Sequence, residues 1–223
     1  MKSARKDPLT LEKTLKKFIY VFFIFLLCTS AIHAQSKSFV LNIGGTTPQT
    51  TENDSGEKIG TTGLGWSAQS FTTRNDKLHF GLETAFSYFG DNTFTYSDVK
   101  YTFKTSAISL SGIIKYSDNQ ANANIRPMFF GGLGLGFFVA EAKASLLPGY
   151  VWSNTGTTEK RTIVADSSIG YNVILGAGFE GDFSERYFWN MAGRYTLIGV
   201  DIEDFDRTSV SSLQFNLGFG VLY

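Results

Sequence analysis

A segment whose side chains alternate apolar and polar with period two satisfies both sets only as a strand whose two faces meet different surroundings. This chain carries that pattern to its last residue. From Leu213 to Tyr223 the odd positions are Leu213, Phe215, Leu217, Phe219, Val221 and Tyr223, and the even ones are Gln214, Asn216, Gly218, Gly220 and Leu222. Aromatic residues run along the apolar face up to the end. The other face is small or amide-bearing and carries no charge.

The same alternation predicts strands near 37–46, 60–72, 78–89, 103–116, 125–141, 166–181, 187–201 and 211–223. Eight is an even number, and each segment reaches the roughly 9–11 residues that a tilted membrane strand needs. From Gln35 onward no apolar run approaches the ~18 residues of a transmembrane helix, and Gly, Thr, Ser, Phe and Tyr dominate.

The faces separate strand by strand. Leu78, Phe80, Leu82, Phe86 and Tyr88 oppose His79, Gly81, Glu83, Ala85 and Ser87; Ile108, Leu110, Ile114 and Tyr116 oppose Ser109, Ser111, Ile113 and Lys115. Further on, Phe129, Leu133, Leu135, Phe137 and Val139 oppose Arg126, Met128, Phe130 and three glycines. Tyr171, Val173, Leu175 and Phe179 oppose Asn172, Ile174 and Glu180, and Tyr187, Trp189, Met191, Tyr195 and Leu197 oppose Asn190, Arg194 and Thr196. A soluble eight-stranded barrel would reverse these assignments, with its apolar face around a cavity and a Lys-, Glu- and Asp-rich face in water. Here the polar face has too few charges for a solvated exterior. Tyr88, Tyr116, Tyr187, Trp189 and Tyr223 near strand ends suit the aromatic girdles of a membrane barrel.

Connection lengths point the same way. The links 73–77, 117–124 and 182–186 are short and rich in turn formers. Those at 47–59, 90–102 and 142–165 are longer, and 202–210 is the shortest on that side. Short turns on the periplasmic rim and long loops on the outer rim are the habit of outer-membrane barrels. Two long connections keep alternating: Phe94 and Tyr96, then Val99, Tyr101 and Phe103, flank a Ser97-Asp98 tip, and Leu146 to Trp152 lead to a polar tip at Ser153–Gly156. These read as hairpins that continue beyond the bilayer, with edges that a partner's strand can join.

The N-terminus reads as an export signal. Six basic residues (Lys2, Arg5, Lys6, Lys13, Lys16, Lys17) precede an apolar run from Phe18 to Cys28, and Ala31-Ile32-His33-Ala34 precedes Gln35. That arrangement predicts a signal peptide over 1–34, cleaved after Ala34, with one domain over 35–223. The alternatives are a retained anchor, for which the run is short, and a lipoprotein signal acylated at Cys28, which Leu27 opposes. Cleavage removes six of the 20 basic and two of the 20 acidic residues, so the mature net charge is −4. That leaves no basic patch for nucleic acid. Cys28 is the one cysteine, so no disulfide braces the exported domain.

The charges expected inside the barrel are Glu83, Lys115, Arg126, Glu180 and Arg194, among Asn42, Gln69, Asn172, Gln214 and Asn216. Buried charges must be paired and hydrogen-bonded. Such a network can gate a pore or simply fill the interior, and eight strands leave room only for side chains. His79 is the one mature histidine and belongs to the short-turn rim. A hydrolytic triad needs a base beside a nucleophile and an orienting acid, and a metal site needs clustered ligands. No catalytic residue, metal or cofactor is therefore expected. Gly131-Gly132-Leu133-Gly134-Leu135-Gly136 imitates a dinucleotide fingerprint but opens no helix.

With its two-faced strands, alternating connections and Phe219, Val221 and Tyr223 at the end, the chain resembles the small eight-stranded outer-membrane β-barrels, the membrane domain of OmpA and adhesin-like barrels of that size. The ending departs from them in having Tyr where Phe is commoner. The resemblance implies an all-β fold: an antiparallel up-and-down transmembrane barrel in the outer membrane of a Gram-negative bacterium. It implies contact with outer-membrane lipid and lipopolysaccharide, and handling by the barrel-assembly machinery through the C-terminal strand. The activity does not transfer with the fold. A structural or surface-interaction role, through a surface protein or host ligand at the long loops, stands first. A narrow channel or carrier of small apolar ligands is the alternative, and a lipid A-modifying enzyme comes last.

Overall fold

In the computed structural model, residues 37–49, 61–74, 77–117, 125–152, 160–202 and 207–223 are described. The expected signal peptide and its cleavage point lie outside them, as does the Ser153–Gly156 tip. Eight strands follow in chain order: β1 (Lys37–Pro48), β2 (Thr61–Thr73), β3 (Leu78–Tyr96), β4 (Val99–Ser117), β5 (Ile125–Leu146), β6 (Arg161–Asp182), β7 (Tyr187–Ile202) and β8 (Arg207–Leu222). Each strand pairs antiparallel with its neighbours in sequence, and the ring closes into a barrel.

Closure joins β1 to β8 from Ser38↔Leu222 to Pro48↔Ser212 without a register break. Two backbone bonds extend the seam: Lys37 N–H donates to the Tyr223 carbonyl at 3.0 Å, and Tyr223 N–H to that of Lys37 at 2.9 Å. In hydrocarbon an open sheet edge would leave such groups unpaired at several kcal/mol each. The pairing up to Tyr223 is what removes that edge.

The exterior is apolar around the ring. Ile43, Leu64, Leu133, Ile169, Leu175, Phe215 and Leu217 are all more than half exposed, a surface that water would penalise and lipid covers. At the short-turn rim Phe219 stacks on Tyr187 at 5.6 Å and meets Phe183 at 6.3 Å. An aromatic girdle ends the lipid band there.

β3, β4, β5 and β6 are longer than the lipid band, and above it the polarity of β4 and β5 reverses. On β4 the outward residues run Ile114, Gly112, Leu110, Ile108, then Ser106, Lys104, Thr102 and Lys100. On β5 they run Phe129, Leu133, Leu135, Phe137 and Val139, then Glu141, Lys143 and Ser145. The inward face changes the other way: above buried Thr105 and Ala140 come Phe103, Tyr101 and Val99 beside Ala142, Ala144 and Leu146. Phe94 stacks on Tyr101 at 5.0 Å and on Phe103 at 5.5 Å. The β3–β4 hairpin turns at Ser97-Asp98, where the alternation predicted its tip, with Ser97 in the left-handed region at φ 53°.

The reversal marks one edge of the lipid band. The lipid-facing stretch of β5 from Phe129 to Val139 spans roughly 33 Å along the strand at ~3.3 Å per residue. At a tilt near 40° that is about 25 Å of membrane, the usual height of an apolar band. A lysine at Leu133, 70% exposed in the middle of this band, should lower the unfolding free energy in bilayers by about 2–4 kcal/mol. Thr102→Lys, beyond the reversal, should change it by less than about 1 kcal/mol. Denaturant unfolding of both variants in the same vesicles checks the boundary.

Candidate functional site

The five interior charges form two groups at different heights. Glu83 on β3 and Arg194 on β7 meet in the middle of the barrel. Arg194 Nη2 lies 2.8 Å from Glu83 Oε1, and its Nη1 donates to Oε2 at 3.0 Å. Gln69 Nε2 donates to the same Oε2 at 2.6 Å, and Arg194 Nε donates to Thr196 Oγ1 at 3.2 Å. Glu83 is 1% exposed and Arg194 2%, so each charge depends on the other. Both terminal nitrogens of the guanidinium thus lie against the carboxylate, with a charge-assisted hydrogen bond to Oε2.

The second group lies at the short-turn rim. Lys115 Nζ donates to Glu180 Oε2 at 2.9 Å, and the Ser117 hydroxyl donates to Glu180 Oε1. Arg126 Nε stands 3.7 Å from that Oε1, while its Nη1 and Nη2 hold Asp182 at 2.5 and 2.7 Å. The Lys115 ammonium also lies 4.9 Å from the Phe71 ring and 5.6 Å from that of Phe188, where a cation is attracted to the ring face. Asp182, which the connection lengths put in the 182–186 link, ends β6. Its parity, even like Glu180 on the same strand, is the signal for its register, and at the rim its side chain stays exposed.

Apolar layers separate and cap these groups. Val40, Phe71, Ile113, Ile174 and Phe188, with Phe130 against them, form one cluster. Along β4 its Ile113 stands between Lys115 and the level of Ser111, whose hydroxyl accepts from Asn172 at 2.7 Å. The second cluster, Phe89, Ala107, Phe138, Ala140, Ile198 and Val210, fills the upper end. Charge, apolar, charge and apolar layers therefore succeed one another up the barrel.

Amide side chains fill the remaining space by crossing glycines. Gly218 on β8 is the register partner of both Asn42 and Asn190. A Cβ there would occupy the space of both amides. Asn216 does the same over its partner Gly44. A cavity of ≈ 10 Å³ remains, lined by Asn42, Gln69, Lys115, Asn190 and Asn216 and by as many apolar residues, Phe71 and Met128 among them.

His79 packs at the short-turn rim. Its Nδ1 is 3.0 Å from Thr73 Oγ1, and its ring meets Phe71 edge-on at 6.5 Å. It is 5% exposed, and no cluster of three metal-ligating side chains occurs among the described residues.

The raised sheet is the other candidate surface. Its outward face carries Lys104, 3.3 Å from Asp91, and Lys143, 3.0 Å from Glu141. Near its end Tyr96 is 73% exposed, with Tyr150, Val151 and Ile163 about half exposed. The Arg161 guanidinium lies 4.6 Å over the Trp152 ring.

The central ion pair yields a test. Arg194→Leu leaves the Glu83 carboxylate buried with an incomplete set of partners and should cost about 3–5 kcal/mol of stability. Combining it with Glu83→Leu should recover most of that loss, because no uncompensated charge remains. A double-mutant cycle by denaturant unfolding in bilayers reads both values.

No family model and no curated protein sequence matches the chain. Among solved structures it is similar to Neisserial surface protein A, NspA, with a TM-score of 0.52 at 15% identity, over 84% of this chain and 99% of that one. Ail, the attachment invasion locus protein of Yersinia pestis, overlaps at a TM-score of 0.44 and 17% identity, over 86% of this chain and 100% of its own. The outer membrane protein OprG of Pseudomonas aeruginosa does so at 0.45 and 14%, over 86% and 97%. The chain thus has the fold of the small eight-stranded outer-membrane β-barrels, and its apolar exterior is the surface such a barrel presents to lipid.

Proposed function

We propose that the protein resides in the outer membrane with a filled interior and acts at the cell surface through the sheet raised by β3, β4, β5 and β6. The observation that carries this reading is the reversal of polarity on β4 and β5. Connections that merely closed the barrel would need no ordered strands above the lipid. Here alternation continues past it with apolar and polar faces exchanged, as in a sheet built to stand in water. The backbone at the margin of such a sheet can take up a partner's strand, and exposed Tyr96 and Tyr150 offer aromatic contact area. The partner in this reading is another surface protein or a host molecule, and no catalytic group or cofactor takes part. Lipid, including lipopolysaccharide, surrounds the barrel, and Phe219, Val221 and Tyr223 are the side chains that the assembly machinery reads.

A second reading, a carrier of small apolar molecules, has one observation in its favour. The upper interior cluster around Phe89 and Phe138 continues into the aromatic inner face at Phe103, Tyr101 and Phe94. An apolar surface therefore runs from the mouth into the barrel.

Replacing residues 93–102 with a tight turn, together with the tip of the β5–β6 hairpin, should abolish attachment of expressing cells to their partner surface. The barrel band should still shift on boiling in a gel of outer membranes. Unchanged attachment by a correctly inserted variant would reject the adhesive role. Uptake of small apolar compounds that falls in the same variant would favour the carrier.

A further inference from the structure

We infer that the middle of the barrel binds one trapped water molecule, held between Asn190 of β7, Asn216 of β8 and Gln69 of β2, which completes the hydrogen bonding of the interior without opening a path through it. This deepens the filled-barrel reading and rests on it.

Three observations meet at this place. The first is a pair of orphaned acceptors. Asn190 and Asn216 are 5% and 4% exposed, and the Oδ1 of each accepts no hydrogen bond among the described residues. Buried polar atoms in native interiors are nearly always satisfied by protein or by ordered water. The second is space. Both asparagines line the same cavity, and its ≈ 10 Å³ is about the least that admits a water. The third is donors on the same walls. Gln69 Nε2 uses one proton on Glu83 Oε2, and an amide nitrogen carries two. Lys115, whose Nζ is engaged with Glu180 Oε2, also lines the cavity, and an ammonium carries three protons.

The chemistry of the walls selects the occupant. A cation would sit against the Lys115 ammonium, and an apolar group would leave the amides unmet. A water can donate to both asparagine oxygens and accept from Gln69 or Lys115, within the two to four bonds that buried waters make. Because it both donates and accepts, it serves the site in either orientation of the two amides.

The surroundings keep that water single. Toward the short turns stand Phe71, Ile113, Ile174 and Phe188, with the Lys115 ammonium against the Phe71 and Phe188 rings. On the other side stand the Glu83–Arg194 pair and then the Phe89–Phe138 layer, with its ring centroids 6.3 Å apart. A continuous column would have to wet both apolar layers.

The test uses the full barrel, isotope-labelled and refolded in detergent micelles, with magnetisation transferred from water to side-chain amides. The expected result is contact from a long-lived water, opposite in sign to that from bulk solvent, at Gln69, Asn190 and Asn216. Asn216→Leu, and separately Asn190→Leu, should remove it at the remaining amides while the backbone spectrum stays dispersed. Absence of contact in the folded wild type would overturn the site while leaving the filled interior standing. Contact with rapidly exchanging water, accompanied by conductance steps in planar bilayers, would overturn the filled interior as well.

Discussion

Hydrocarbon offers no hydrogen-bond partner to a peptide group, and the rest of this structure depends on that. Eight strands paired only with sequence neighbours still leave two edges, on β1 and β8. The seam from Lys37–Tyr223 to Pro48↔Ser212 removes both. Closure then imposes two surfaces of opposite character on every strand. The outside is chosen by lipid. The inside is chosen by how little room a ring of eight strands leaves.

Within that limited room the protein has no large hydrophobic core to rely on. It instead stacks small apolar clusters between ionic groups, so that each charge finds its counter-charge within one layer. Glu83 and Arg194 come from strands far apart in sequence, and so do Lys115 and Glu180. The first pair therefore needs the ring to bring β3 opposite β7, whereas the second is joined across β5 alone. Asparagine amides crossing Gly218 and Gly44 fill the gaps between layers that larger apolar side chains could not enter.

The alternation revealed the eight strands, their order and the facing of nearly every residue. A side chain's face follows from its parity once the strand is known. The inward placement of Glu83, Lys115, Arg126, Glu180 and Arg194 was legible in this way, because each lies on the small or polar side of its strand. Their partners were not. Parity says which face a residue takes but not its height in a tilted ring, so the division into two groups, and the recruitment of Gln69, Ser117 and Asp182, had to come from the register. The reversal on β4 and β5 was also missed. Val99, Tyr101 and Phe103 alternate as visibly as Ile108 and Leu110, and period alone does not report that the two runs face opposite ways. The strand must be followed continuously through Thr105 and Ser106 to see it.

The reversal also acts as a waterline. Sinking the barrel by one residue pair would bring Lys104 and Glu141 into the acyl chains, and raising it equally would lift Val139 and Ile108 into water. Each displacement is opposed by two of these four side chains, which lie on two adjacent strands, so the protein's depth is held at this edge of the lipid band. At the other rim the stack of Phe183, Tyr187 and Phe219 sets the lower mark. A barrel held between two such marks floats at one level and resists tilting, so the β3–β4 hairpin reaches a constant height above the lipid.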